Sequence, residues 1–348
     1  MTEASMNITC EAEGIYLINM PLPFRLNHIN LYLLEDVDGW YLIDTGLNTD
    51  LTKTIWQQFL ESGFFTKPIK QIILTHLHPD HIGMSAWLSE QLGVGVKISA
   101  GDLAMARFLW NNHTDIAKSL YERHWKQFGL SGTSLEEMVE LRNHYRKLVK
   151  QLPENVATIE PDSVLHTISG AWTFLPGAGH SPEHMCLWNA ELGYLISGDH
   201  VLPGITPNIS LHPFGMTNPL ELYLQSLEKF RELDCRRYFP AHGPISDNYR
   251  SRINDIILHH QQKFADLMNT LPSQPTSVVE AMPLLFKADL PAHQLMFAYS
   301  ETAAHLVYLT ERGFLTCDKS DGNWLFINPY QTNTPASLAC LKAIPTSC

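Results

Sequence analysis

The chain has no Cys-x-x-Cys pair, no internal repeat, no low-complexity tract, and no apolar run reaching the ~18 residues of a membrane span. A membrane-spanning protein is therefore not expected. The six cysteines (Cys10, Cys186, Cys235, Cys317, Cys340 and Cys348) are scattered over 348 residues. That spacing reads as reduced thiols rather than a disulfide framework. Positive charge is scarce too: 24 Lys and Arg stand against 36 Asp and Glu, a formal net charge of −12. A general phosphate-backbone binder carries a basic footprint, so nucleic acid is not an expected partner. Met1 to Gly14 lack the basic and apolar regions of a secretory signal, and a cytoplasmic location is the expectation. What the chain does have is apolar content, 45%, enough for a large core, and a length that suggests roughly two domains.

It also has a dense polar box. His76-Leu77-His78-Pro79-Asp80-His81 follows the strand-like run Gln71 to Thr75 and packs three imidazoles and a carboxylate into one turn of chain. So many polar groups at the end of an apolar strand are costly to bury unless a metal answers them. Further donors follow at intervals: His180 in Pro-Gly-Ala-Gly-His-Ser, Asp199 in Ser-Gly-Asp-His, and His242 in Pro-Ala-His-Gly. Each comes after a short apolar or β-prone stretch and beside glycine, as where strand ends and tight loops gather ligands.

The surrounding pattern is α/β. Short β-prone runs at Ile15–Ile18, Ile29–Leu34 and Trp40–Ile43 precede helical stretches at Leu51–Ser62 and Gly83–Leu92, with a strand at Val94–Ser99. The segment 102–152 breaks the alternation. Its apolar spacing (Trp110, Tyr121, Trp125, Phe128, Met138, Leu141, Tyr145, Leu148) predicts two or three amphipathic helices packing on the body, and such an insertion could also serve as a lid. His113, His124 and His144 fall there and read as surface or packing residues. Strands resume at 163–165, 172–175, 185–188 and 194–196, then helices at 219–233 and 247–268. Pro272 to Pro275 marks a boundary. Beyond it the order helix, helix, two-stranded hairpin is that of a winged-helix module. The organisation read from this is a catalytic domain over 1–270, a winged-helix-like domain over 271–330 and a tail over 331–348.

The set Asp44 (in Leu-Ile-Asp-Thr-Gly), His76, His78, Asp80, His81, His180, Asp199 and His242 resembles the metallo-β-lactamase superfamily over about Ile15 to Gly243. The resemblance implies a four-layer αββα sandwich with the site at one edge of the two sheets. It implies two divalent metal ions, Zn²⁺ first, with Fe and Mn as alternatives. His76, His78 and His180 would hold one ion, Asp80, His81 and His242 the other, and Asp199 would bridge them. A metal-bridging hydroxide would be the nucleophile. Asp80 and Asp44 are the carboxylates assigned catalytic roles. Asp44 would act from behind, accepting a hydrogen bond from a ligand imidazole and fixing its tautomer; capping the following helix is its structural alternative.

Asp199 stands where lactam-cleaving members typically lack a bridging aspartate and supply a cysteine to the second metal site, which points to glyoxalase II-like or thioesterase-like relatives. The expected reaction is thus hydrolysis of a thioester, acyl-CoA or a similar acyl-thiol. The alternatives are a phosphodiesterase or ribonuclease, a lactone or ester hydrolase, and a regulator that keeps its metals as a structural core. The expected partner is a small acyl substrate. The tail helix, Gln294 to Gly313, contains one fixed positive charge, Arg312, and is expected to pack on the sandwich or a second subunit through Leu295, Phe297, Leu306 and Leu309. In the loop after Asp199, His200 and Asn208 are candidate polar contacts to substrate.

Overall fold

The computed structural model describes residues 8–24, 26–110, 114–287 and 290–330. The expected tail over 331–348, His113, Cys340 and Cys348 lie outside the described residues.

Four strands open the chain as an antiparallel meander: β1 (Ile8–Ala12), β2 (Ile15–Pro21), β3 (His28–Glu35) and β4 (Trp40–Ile43). Helix α1 (Asp50–Glu61) follows, capped by the Thr49 side chain on the Thr52 amide. Then come β5 (Ile69–Ile73), the one-turn α2 (Pro79–Ile82), α3 (Ser85–Leu92) and β6 (Val96–Ser99). Three helices form the insertion: α4 (Ala100–Trp110), α5 (Thr114–Gln127) and α6 (Gly132–Arg146). Strand β7 (Val156–Ile159) closes a seven-stranded sheet of order β1-β2-β3-β4-β5-β6-β7, parallel from β4 onward.

The second sheet is built from β8 (Val164–Thr167), β9 (Gly170–Gly177), β10 (His184–Asn189) and β11 (Tyr194–Gly198). After α7 (Pro219–Arg231) it gains β12 (Arg237–Pro240), giving the order β12-β11-β10-β9-β8. A long helix α8 (Tyr249–Thr270) leads into α9 (Val278–Leu285), α10 (Ala292–Glu311) and the hairpin β13 (Thr316–Asp318) with β14 (Leu325–Ile327).

Period-two alternation sorts the strands into layers. Tyr32 and Leu34 of β3, Ile43 of β4 and Ile73 of β5 meet Trp172, Phe174, Met185, Leu187, Ile196 and Phe239 of the second sheet in one buried cluster. Their neighbours Leu31, Leu33, Leu42 and Ile72 pack instead with Trp56, Phe59 and Leu88 of α1 and α3. Cys186, Trp188, Leu195 and Tyr238 pack with Leu220, Tyr223, Leu227 and Ile253 of α7 and α8. The layers are therefore αββα, as expected from the sequence.

In the insertion Trp110, Tyr121, Trp125, Phe128 and Met138 are buried, while Leu141, Tyr145 and Leu148 are partly so. His124 is a packing residue whose Nε2 lies 3.0 Å from the Leu211 carbonyl, and His144 is exposed. No helix among the described residues is long and apolar enough to cross a membrane. The terminal helix α10 lies against the body, its Arg312 Nε and Nη2 donating to Glu221 of α7 at 3.0 and 2.6 Å. Leu306 and Leu309 are buried and Leu295 partly so, but Phe297 is 37% exposed, against expectation. Also buried on this helix are Ala298 and the polar residues Glu301, Thr302 and His305.

Candidate metal centre

Five of the eight predicted site residues follow the C-terminal ends of strands: Asp44 after β4, His76 after β5, His180 after β9, Asp199 after β11 and His242 after β12. The two sheets are stitched together there. Met185 N donates to Thr75 O at 2.8 Å, and Asn30 N to Ala241 O at 2.7 Å. Asp80 and His81 lie on α2, whose first position is Pro79 and whose N-cap residue is His78. Two glycines make room. Gly179 has φ +115° and a Cβ on it would sit 2.3 Å from Tyr223 Cβ; Gly198 has φ +50° and its Cβ would meet His184 Nε2 at 2.6 Å.

These loops bring seven of the residues into two adjoining donor sets. His76, His78, His180 and Asp199 form one, and Asp80, His81 and His242 the other, the donor atoms of each lying within 4.8 Å of one another. In the first, His78 Nδ1 is 2.9 Å from both His76 Nε2 and His180 Nε2. The two Asp199 oxygens divide between the sets. Oδ2 is 3.4 Å from His180 Nε2, while Oδ1 is 3.5 Å from the Nε2 atoms of both His81 and His242. Asp80 Oδ2 is 3.2 Å from His242 Nε2.

Four ligand imidazoles have their far nitrogen held. His81 Nδ1 lies 2.8 Å from Asp44 Oδ2, His180 Nδ1 2.8 Å from Asn208 O, His242 Nδ1 3.0 Å from His28 O and His76 Nδ1 3.1 Å from Thr75 Oγ1. A far nitrogen bonded to an acceptor carries the proton, so the near nitrogen presents its lone pair inward. Asp44 also accepts from Thr75 N and Thr75 Oγ1, each at 2.8 Å. It sits at φ +61° and does not cap α1, a task that falls to Thr49.

The residues fit a pair of cations. His81 Nε2 and Asp199 Oδ1 are buried without any hydrogen-bond partner and face each other across the centre, a costly arrangement unless a positive ion lies between them. Burial, and then the neighbouring imidazoles, push His76 well below the ordinary histidine range, and burial and then the His180 ring push His78 down likewise, so these two rings are neutral. Burial alone would lower His242, but the Asp199 and Asp80 carboxylates outweigh it and hold the ring up at about 9. Likewise His81 is raised well above its ordinary value, burial being outweighed by Asp44, Asp199 and Asp80.

An ion entering the second set must displace protons from these rings. Its affinity rises with pH up to about 9 and falls at least about tenfold per unit below. Calorimetric titration of the metal-free protein should thus find second-ion binding about 100-fold weaker at pH 6.5 than at pH 8.5. A pH-independent affinity would remove His242 from the ligand set.

Three residues that sequence reasoning missed hold this geometry. Asp102, fully buried at the start of the insertion, accepts from Leu77 N at 2.9 Å, Ser181 Oγ at 3.0 Å and Glu183 N at 2.7 Å. It ties the His76–His78 loop to the His180 loop, and burial raises its carboxyl to about 6. His184, fully buried, accepts from the Asp199 amide at 3.1 Å and so sets where Asp199 points. Glu301 of α10 accepts from Asn208 Nδ2 at 2.7 Å, steadying the carbonyl that orients His180. His200 and Asn208 do not face substrate as expected. The His200 ring is fully buried with Nε2 3.0 Å from Ser226 Oγ, and Asn208 is spent on His180, Glu301 and Ser210. Cys186 is fully buried and its thiol is pushed well up by burial, an inert core residue.

Comparison with known proteins gives the same architecture. The family profile described as "Metallo-beta-lactamase superfamily" matches residues 25–242, and one described as "Metallo-beta-lactamase-like, C-terminal domain" matches 264–329. A probable metallo-hydrolase from Bacillus subtilis is 24% identical over 316 residues, 87% of this chain and 94% of that protein. The crystal structure of a beta-lactamase domain protein from Burkholderia ambifaria superposes with TM-score 0.79 at 29% identity, covering 92% of this chain and 95% of the other. A metallo-beta-lactamase family protein from Thermus thermophilus gives TM-score 0.79 at 27% identity, with 92% and 100% covered.

Proposed function

The chain belongs to the metallo-beta-lactamase superfamily as a metallo-hydrolase, and from that premise we propose that the bond it cuts is a thioester, in acyl-CoA or a similar acyl-thiol. The observation that carries this reading is the placement of Asp199, one carboxylate with an oxygen toward each donor set, with no cysteine in either. His76, His78 and His180 would hold one ion and Asp80, His81 and His242 the second, with Zn²⁺ first and Fe or Mn as alternatives. Bound there, such ions supply Lewis acidity and a water whose pKa falls to near 7.

The chain's own residues do the rest. Asp44, Asn208 and His28 keep their imidazoles in the tautomer that presents a lone pair inward. Ionised Asp80 and Asp199 balance the protonated His81 and His242 rings, and would leave the second set anionic once an ion displaces those protons. Burial would raise Asp80, but the His81 and His242 rings hold it down at about 2. The insertion helices, with Trp110 and Tyr145 5.6 Å apart, carry apolar and aromatic surface of the kind an acyl chain needs. Because Arg312 is committed to Glu221, the C-terminal helix offers little to a nucleic acid backbone, which supports a small-molecule substrate.

The test is thiol release from a panel of acyl-CoA and acyl-glutathione thioesters by metal-loaded protein and by His76→Ala. Turnover by the wild type that falls on the order of a thousandfold in the variant is expected. No release from any thioester, with two ions confirmed per chain, would overturn the thioester reading in favour of phosphodiester or oxygen-ester bonds.

A further inference from the structure

The insertion carries a buried cation that nothing among the described residues answers. Arg142 of α6 is 4% exposed, and none of its three guanidinium nitrogens has a hydrogen-bond partner. No carboxylate pairs with it among the described residues. Its close neighbour is the Tyr121 ring, 4.4 Å from the guanidinium carbon to the ring centroid. A desolvated charge with only the Tyr121 ring and its phenol for company, and no counter-charge, is costly to keep, whereas a guanidinium fork of this kind matches a carboxylate or phosphate closely.

The place of Arg142 matters as much as its isolation. Tyr121 Oη is 3.0 Å from His212 Nδ1. His212 lies in the loop that starts at Asp199 and whose Asn208 carbonyl holds His180. Burial lowers the His212 ring to about 3, with His124, the His180 imidazole and the Arg142 guanidinium adding to the shift, so the metal ligand and the cation both lie near it. One helical turn from Arg142, Tyr145 is raised well above its ordinary value by burial and then by Asp80 and Asp199, which puts that face of α6 within the field of the metal centre.

We propose that Arg142, flanked by Tyr121 and His212, receives an anionic group of the substrate while the scissile bond lies at the metal centre, so that the enzyme selects substrates bearing a carboxylate or phosphate near that bond. The proposal rests on the thioester reading for the bond that is cut, but the anion site is testable without turnover.

Thermal melting of the metal-free protein reads the site directly. Succinate or inorganic phosphate should raise the wild-type melting temperature by several degrees, and the uncharged succinamide should not. Arg142→Met should melt no lower than wild type in the absence of either anion, because it removes an unanswered charge, and should not respond to them. Arg142→Lys keeps the charge without the fork and should respond more weakly. In turnover, the ratio of KM for a succinyl thioester to KM for the matching butyryl thioester should rise about 10–100-fold in Arg142→Met. Comparing coenzyme A with the phosphate-free N-acetylcysteamine carrier separates an anion on the acyl group from one on the thiol.

A wild type equally indifferent to succinate, phosphate and succinamide would overturn the proposal. So would an Arg142→Met protein that melts well below wild type while its anion response is kept. Anion stabilisation without thioester turnover would remove the thioester reading and leave the site standing. Turnover blind to substrate charge, with no anion stabilisation, would remove the site alone.

Discussion

Asp199→Asn is expected to lower turnover on the order of a thousandfold and to reduce the bound metal from two ions per chain to one or fewer. The substitution keeps the volume and the backbone tie to His184, so the fold has no reason to change. What it removes is the charge and one acceptor oxygen. In the native chain Oδ2 faces His180 and Oδ1 faces both His81 and His242. Whichever way the amide turns, an NH₂ group points into one donor set where a cation should sit. Burial would raise the Asp199 carboxyl, but the His242 and His81 rings hold it well below the ordinary range, so the anionic form is the resting state. Elemental analysis alongside the thiol-release assay checks this. Two ions per chain together with turnover within tenfold of wild type would show that Asp199 does not bridge.

The seven donors that the structure brings together are picked out in the sequence by local signs, whereas Asp44 is named only through the family resemblance. Imidazoles and carboxylates that follow β-prone runs and adjoin Gly179, Gly198 or Gly243 have few reasons to be there other than coordination. The layering comes with the family resemblance; the apolar run Leu31, Tyr32, Leu33 and Leu34 marks a strand buried on both faces without saying which residue meets which layer. Residues that orient the ligands leave no such trace. Asp102 acts on Leu77 and on Ser181 and Glu183 about 80 positions away, and Glu301 reaches Asn208 from the far end of the chain. Nothing adjacent to either in sequence distinguishes it from a solvated acid. The same holds for α10, where Thr302 and His305 occupy the buried stripe and Phe297 turns outward. There the helix packs between other helices, and size and internal hydrogen bonding override the usual apolar periodicity. Edge strands β1 and β7, short and partly exposed, carry too weak a pattern to be read in advance.

Asp44→Asn should leave the protein folded and yet lower turnover by about 100-fold or more. Asparagine tolerates the φ of +61° found at this position and can still accept from the Thr75 amide with Oδ1. The atom facing His81 Nδ1 at 2.8 Å, however, becomes an NH₂. Nδ1 must then accept rather than donate, which moves the imidazole proton to Nε2, the atom aimed at Asp199 and the second donor set. A protonated Nε2 cannot coordinate, so second-ion affinity should fall about 10–100-fold while the first donor set, built on His76, His78 and His180, keeps its ion. Asp44→Ala differs in kind. It leaves the Thr75 amide unpaired in a fully buried loop and strains the backbone, for about 2–4 kcal/mol of lost stability. Melting temperature, metal stoichiometry and turnover, measured together on both variants, separate the two effects. If Asp44→Asn keeps both ions and full turnover, the tautomer of His81 is not set by Asp44, and that carboxylate serves only to hold Thr75.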